Sequence, residues 1–246
     1  MKAAILGGTR GMGRALARLM IERGDSVALL GRGADDLARS AADLKARGNN
    51  GARVIHAECD LEKPEDFRGA LDAAEQQLGG LDVVVVTAAM FASQDDMEAD
   101  AALTQKLLTI DFANTVVFCE EARKKLLSRG GGTLCVFSSV AGDRGRKPVL
   151  LYGAAKAGLS AYLEGLDHKF RSLGLKTVCV KPGFVRTGMT EGLKAPPFSG
   201  EADEVAKVVL DGIDRGTPVV YAPPIWKAVM TIIKAMPRFM MRRIRF

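Results

Sequence analysis

Tyr152 and Lys156 stand four residues apart in the run Tyr152-Gly153-Ala154-Ala155-Lys156. On a helix that spacing puts the phenol and the ammonium on one face, one turn apart. A free phenol titrates near pH ~10, too high for a base at neutral pH. A cation one turn away is expected to stabilise the phenolate and lower that value. The three small residues between them leave room for a ligand lying against the helix. Such spacing also arises by chance on exposed helices, so a third group matters. Ser138-Ser139 ends the apolar run 134–137, with Ser139 thirteen residues before the tyrosine. A hydroxyl at the carboxyl end of a central parallel strand lies in the crevice where ligands of such sheets bind. Ser139 and Tyr152 would hold a carbonyl oxygen there, and Tyr152, assisted by Lys156, would complete the proton transfer.

A second constellation lies at the N-terminus. Ile5-Leu6-Gly7-Gly8-Thr9-Arg10-Gly11-Met12-Gly13 joins the first apolar run to the first helical pattern. Glycine fits where backbone amides must approach a phosphate closely or where a turn needs positive φ. The helix that follows offers free N–H groups and its positive dipole end. Gly7, Thr9, Arg10, Gly11, Met12 and Gly13 are therefore candidate contacts to a dinucleotide pyrophosphate. The end of the second apolar run decides which dinucleotide. An NAD site places Asp or Glu there for the ribose 2′-hydroxyl, whereas here Gly31 is followed by Arg32, and Arg10 sits in the turn itself. Two guanidiniums and no carboxylate suit a 2′-phosphate, so the expected cofactor is NADP(H). The alternative is that both arginines are solvated surface residues.

The elements that must position these groups alternate along the chain. Apolar runs at 3–6, 26–30, 53–57, 83–87, 133–137 and 177–180 read as strands, several continuously apolar as strands covered on both faces must be. Helical patterns at 14–23, 34–47, 64–78, 101–128 and 152–173 lie between them, several closed by glycine. Strict β-α-β alternation predicts an α/β fold with a doubly wound parallel sheet. One domain over 1–224 is expected, with a variable substrate loop near 188–202 and a basic extension over 225–246. Residues lining a substrate pocket are expected in 89–100 and 188–202.

Composition limits the remaining possibilities. From Ile225 onward six basic residues (Lys227, Lys234, Arg238, Arg242, Arg243 and Arg245) face no acidic one, and the other 29 Lys and Arg equal the 29 Asp and Glu. The net +6 charge thus belongs to the tail. Apolar Trp226, Val229, Met230 and Ile233 repeat there at helical spacing against Lys227, Thr231 and Lys234, until Pro237 ends the helix; Phe239, Met240, Met241, Ile244 and Phe246 follow among arginines. Such an end suits docking on an anionic membrane surface, or else covers the substrate pocket or a subunit interface. No nucleic-acid motif accompanies the charge. Cys59, Cys119, Cys135 and Cys179 lack metal spacing, and only His56 and His168 are available. No metal site is expected, and a cytoplasmic location follows from the scattered cysteines. Gly7 interrupts the apolar start, so no signal peptide is read there.

The glycine turn, Ser139, Tyr152 with Lys156, and Pro182-Gly183-Phe184-Val185-Arg186-Thr187 together resemble the short-chain dehydrogenase/reductase family, in order from about Lys2 to Thr190. The resemblance implies a Rossmann fold and carbonyl reduction or alcohol oxidation. It implies that Asp60 with Leu61 meets the adenine, and that Lys156 also holds the nicotinamide ribose beside Tyr152. Ala88 and Ala89 stand in the strand-end motif, and Pro182, Gly183, Val185 and Thr187 would border the nicotinamide. It further implies a homodimer or homotetramer formed through the helices at 101–128 and 152–173.

Three positions depart from the family pattern. Val86-Thr87-Ala88-Ala89 replaces Asn-Asn-Ala-Gly, which predicts fewer side-chain hydrogen bonds at that strand end, and Leu6 replaces a threonine. Asp111 in Ile110-Asp111-Phe112-Ala113-Asn114 aligns with the catalytic asparagine, with Asn114 the alternative after a local shift. These departures also leave open a nucleotide-binding regulatory or scaffold protein that has lost catalysis. Within the family, the stretches Ser138–Arg144 and Lys194-Ala195-Pro196-Pro197 are similar to the branch containing decaprenylphosphoryl-2-keto-ribose reductases. That branch implies a keto-sugar or other lipid-linked carbonyl substrate handled at the membrane face.

Overall fold

A computed structural model describes residues 1–48 and 51–244. Seven parallel strands form one sheet: β1 (Lys2–Leu6), β2 (Ser26–Gly31), β3 (Val54–Glu58), β4 (Val83–Val86), β5 (Gly132–Phe137), β6 (Leu175–Pro182) and β9 (Val219–Ala222). Their order is β3-β2-β1-β4-β5-β6-β9. The chain runs outward from β1 to β3, then returns to the other side of β1 to place β4. That reversal between β1 and β4 opens the crevice at the carboxyl ends of the strands.

The central strands are apolar throughout because both faces are covered. In β1, Ala3 and Ile5 enter one core while Ala4 and Leu6 enter the other. Helices α1 (Gly11–Glu22), α2 (Ala34–Arg47) and α8 (Ala202–Arg215) cover the first face through residues such as Leu16, Leu37 and Val209. Helices α3 (Phe67–Leu78), α6 (Thr115–Ser128) and α7 (Leu150–Phe170) cover the second through Phe67, Phe118 and Leu163. Phe67 and Phe118 meet edge to face at 5.4 Å, which joins α3 to α6.

The predicted doubly wound sheet is the one observed, with additions. Strand β9 and helix α8 lie outside the expected set. The expected loop is closed by two short paired strands, β7 (Val185–Arg186) and β8 (Gly200–Glu201). Two short helices, α4 (Gln94–Ala99) and α5 (Ala101–Leu108), precede α6.

The helix expected over 101–128 is not uniform. Between α5 and α6 the residues Thr109–Asn114 form a π turn. The Thr115 hydroxyl donates to the Ile110 carbonyl, 2.8 Å away and five residues back. This wider turn changes which side chains face inward, as such insertions often do near functional sites.

The basic tail is not a free appendage. Helix α9 (Ile225–Ala235) buries Trp226, Met230 and Ile233 against Val140, and the short α10 (Arg238–Met241) follows Pro237. Arg144 donates to the Met236 carbonyl at 2.8 Å and Lys147 to the Arg242 carbonyl at 2.7 Å. Of the two readings left open for the apolar stripe, a membrane-facing surface or a cover on the domain, its residues Trp226, Met230 and Ile233 follow the second. Ile232, Phe239 and Met240 remain exposed. Arg245 and Phe246 lie outside the described residues.

Candidate active site

The glycine turn and the end of β4 are locked together. Gly7 has φ +89°, and a β-carbon there would lie 2.6 Å from both Thr87 Oγ1 and the Ala88 amide nitrogen. The space that glycine leaves is filled by the Thr87 hydroxyl, which donates to the carbonyls of Leu6 and Gly7 at 3.1 and 3.0 Å. Thr87 is thus the residue of the altered Val86–Ala89 stretch whose side chain ties the end of β4 to the glycine turn. The first turn of α1 carries no side-chain cap. The amides near Gly11, Met12 and Gly13 are therefore available to a phosphate, and Thr9 and Arg10 lead into them. This uncapped helix start over a glycine floor fits the pyrophosphate of a dinucleotide.

Arg10 and Arg32 flank that floor from the ends of the turn and of β2. Their side chains are 81% and 71% exposed; Arg10 contacts Asp36, and Arg32 lies 3.7 Å from Glu62. Asp60 accepts from the Glu62 amide at 3.0 Å, and buried Leu61 offers its carbonyl to Asn114 Nδ2 at 2.6 Å. Asn114 is therefore directed at the strand-end loop, away from Lys156.

The π turn instead delivers Asp111 to Lys156. Lys156 Nζ lies 3.2 Å from Asp111 Oδ2, with the two side chains 2% and 0% exposed. Asp111 Oδ1 accepts from the Met90 amide at 2.7 Å. Oδ2 meets the ammonium as an ion pair but takes no aligned hydrogen bond among the described residues. Between the two alternatives left by the sequence, Asp111 is the one beside the lysine. Lys156 itself is anchored where its carbonyl accepts from the Ser138 and Ser160 hydroxyls, each at 2.9 Å.

Lys156 Nζ stands 5.5 Å from the centre of the Tyr152 ring, whose other flank meets Phe91 edge to face at 5.4 Å. Burial pushes the Tyr152 phenol up from the ordinary tyrosine value. Lys156 opposes that rise, Asp111 adds to it, and the Ser139 hydroxyl opposes it. The expectation that Lys156 brings the phenol below its ordinary value is corrected, because burial outweighs the pull of the lysine and Asp111 adds to the rise. Burial pushes Asp111 up too, against the pull of Lys156, while Asp111 and Tyr152 more than offset burial at Lys156 and hold it above the usual lysine range. Ser139 Oγ accepts from the Ala141 amide at 3.1 Å, which leaves the hydroxyl proton to donate.

Ser139, Tyr152 and Lys156 line one cavity of about 620 Å³ with Met12, Thr87 and Ala89. Pro182, Gly183, Val185 and Thr187 form another part of its wall, and a β-carbon on Gly11 would touch Thr187, so this turn closes over the glycine floor. Both segments expected to border a substrate contribute, through Phe91, Gln94 and Asp95 and through Met189, Leu193 and Lys194. Trp226 belongs to the wall as well, in keeping with the alternative that the tail helix covers the pocket, and so does Arg146, which was not expected there. Trp226 packs where Gly183 has no side chain, since a β-carbon on Gly183 would fall 2.0 Å from the indole nitrogen. Its N–H donates to the Phe198 carbonyl at 3.1 Å, tying α9 to the substrate loop. Among the described residues no group of three His, Cys, Asp or Glu is placed to hold a metal ion.

Residues 1–197 match the short chain dehydrogenase family. An uncharacterized oxidoreductase of Mycobacterium tuberculosis is 31% identical over 240 residues, spanning 97% of this chain and 95% of its own. The carbonyl reductase family member 4 of Xenopus laevis is 26% identical over 215 residues, spanning 84% of this chain and 88% of its own. A solved short-chain type dehydrogenase/reductase from Mycobacterium ulcerans superposes with a TM-score of 0.82 at 21% identity, covering 89% of this chain and 86% of that one. The chain belongs to the short chain dehydrogenase family and is an oxidoreductase of that class.

Proposed function

We propose that the chain is an NADPH-dependent ketoreductase, a reading carried by the convergence of Ser139, Tyr152 and Lys156 on one cavity beside the uncapped start of α1. Bound NADPH supplies the hydride. Ser139 and Tyr152 hydrogen-bond the carbonyl oxygen, which polarises it and fixes its face. Tyr152 gives its proton to the forming alkoxide, and Lys156 steadies the charge left on the phenol. Asp111 acts through Lys156. Gly7, Thr9, Gly11, Met12 and Gly13 would hold the pyrophosphate, with Asp60 and Leu61 at the adenine and Ala88 and Ala89 along the strand end. Pro182, Gly183, Val185 and Thr187 would border the nicotinamide. Arg10 and Arg32 support the choice of NADPH, because both guanidiniums are exposed and, among the described residues, meet surface carboxylates that a phosphate could replace.

The cavity wall is largely apolar, with Phe91, Val149, Phe184, Leu193 and Trp226. This favours a ketone or keto-sugar carried on a hydrophobic body, including a lipid-linked one. Exposed Ile232, Phe239 and Met240 beside Lys234, Arg238 and Arg242 favour a cytoplasmic enzyme that touches an anionic membrane surface. Exposed Phe112, Val117 and Leu150 on the flank of α6 and α7 favour a homodimer or homotetramer. Tyr152→Phe should lower ketone reduction by at least ~10²-fold while NADPH still binds, measured by loss of NADPH absorbance and by cofactor titration. Near-normal turnover in that variant would overturn the mechanism.

A further inference from the structure

We infer that Asp111 holds Tyr152 as the neutral phenol, so that the site is a standing proton donor for carbonyl reduction and a poor base for alcohol oxidation until the solution is strongly alkaline. The inference rests on Tyr152 being the proton-transfer group of the proposed ketoreductase. It comes from counting charge around the buried Lys156–Asp111 pair, beside which the half-buried Tyr152 lines the cavity. Lys156 and Asp111 are in ionic contact at 3.2 Å and essentially without solvent, so together they are neutral while Tyr152 keeps its proton. Ionising Tyr152 would then leave one unbalanced negative charge beside a buried pair that is already neutral, which disfavours the phenolate. With a neutral amide at position 111 the count reverses. The ammonium would stand alone, and the phenolate would be the state that balances it.

The groups that face the phenol and its lysine come from several elements. The π turn contributes Asp111, α7 contributes Lys156, the end of β5 contributes the uncharged Ser139 hydroxyl, and the loop after β4 contributes the apolar Phe91 ring. From β6, Cys179 faces Lys156, and burial raises that thiol, which keeps it neutral. Asp95, Arg146 and Lys194 line the wider cavity, while the groups acting at the phenol include Lys156, Asp111 and Ser139. The direction found for Tyr152 is upward, with burial the largest cause and Asp111 adding to it against Lys156, and the sign of the Asp111 contribution agrees with the charge count.

Tyrosinate absorbance provides the test without cofactor or substrate. The chain has three tyrosines, and both Tyr162 and Tyr221 are pushed above the ordinary range by burial. Any early titration therefore belongs to Tyr152 and is assigned by its loss when Tyr152→Phe is added. Wild-type protein should show no tyrosinate below the free-tyrosine value of about 10. In Asp111→Asn one tyrosine should titrate roughly one to three pH units lower, and the alkaline limb of alcohol oxidation with NADP⁺ should move with it. A wild-type tyrosine that ionises well below pH ~10 and vanishes in Tyr152→Phe would overturn the inference, as would unchanged titration in a folded Asp111→Asn. If that variant does not fold by circular dichroism, wild type against Tyr152→Phe decides alone. Retained ketone reduction in Tyr152→Phe would instead defeat the assignment of Tyr152 as the proton donor, on which the inference rests, and leave the charge count around the phenol untouched.

Discussion

Cations meet carboxylates at both ends of the cleft, and the two settings differ in every respect that sets energy. Lys156 and Asp111 are sealed, whereas Arg10 with Asp36 and Arg32 with Glu62 stand in solvent. Removing one partner from a sealed pair strands a charge that water cannot reach. Removing one partner from an exposed pair changes little, because water and salt replace it. The sealed pair therefore suits a fixed task, controlling a proton. The exposed arginines suit exchange, since each can leave its carboxylate for a phosphate that is better matched to its fork.

The largest effect that could break this contrast is at the buried end. Lys156→Met should cost about 3–5 kcal/mol by leaving Asp111 unpaired, which for a chain of this length lowers Tm by roughly 10 °C. The double change Lys156→Met with Asp111→Leu should recover most of that loss in a thermal melt while activity stays absent. A small loss in the single variant would show that the pair is not sealed. At the other end, Arg10→Ala with Arg32→Ala should weaken NADPH binding by roughly 10-fold or more, in keeping with lost charge-assisted bonds. NADH binding and Tm should hardly move, which fluorescence titration of both cofactors would check. Thr87→Val lies between the two regions and removes a hydroxyl shared by two carbonyls. It should cost about 1 kcal/mol, or some 2–4 °C in Tm. Asp36→Asn should have the smallest effect. By releasing Arg10 and Arg39, whose guanidiniums hold that carboxyl below its usual range, it should leave Tm unchanged and tighten NADPH binding about two- to three-fold, as expected for an exposed pair. Weaker binding would mean that Asp36 orients the arginine instead of competing for it.

The parts legible in the sequence are those governed by local pattern. Several of the six strands could be read because burial on both faces demands unbroken apolar runs such as Val83 to Val86, whereas β3, Val54–Glu58, alternates in exposure as an edge strand does. The glycine turn and the Tyr152–Lys156 spacing were legible because their geometry is set within a few residues. Helix α8 was also readable in principle, with Val205, Ala206, Val209 and Ile213 at helical spacing and Gly216 at its end. Strand β9 has only four residues at the sheet edge, too few to declare a period. What escaped depends on contacts distant in sequence. A π turn is one residue of slippage in an otherwise ordinary helix, and nothing local distinguishes Asp111 from Asn114 before Met90 and Leu61 claim them. The tail's apolar stripe was visible, but whether it would face lipid or Val140 was settled by packing alone.

Trp226 is the only tryptophan in the chain, and it stands in the cavity wall with its indole nitrogen bonded to the substrate loop. All tryptophan emission from this protein thus originates at one point on the rim of the active site. A ligand that displaces the Phe198 carbonyl, or moves α9 away from Gly183, must alter the polarity around that single fluorophore. The protein carries its own optical reporter of pocket closure, readable without any label.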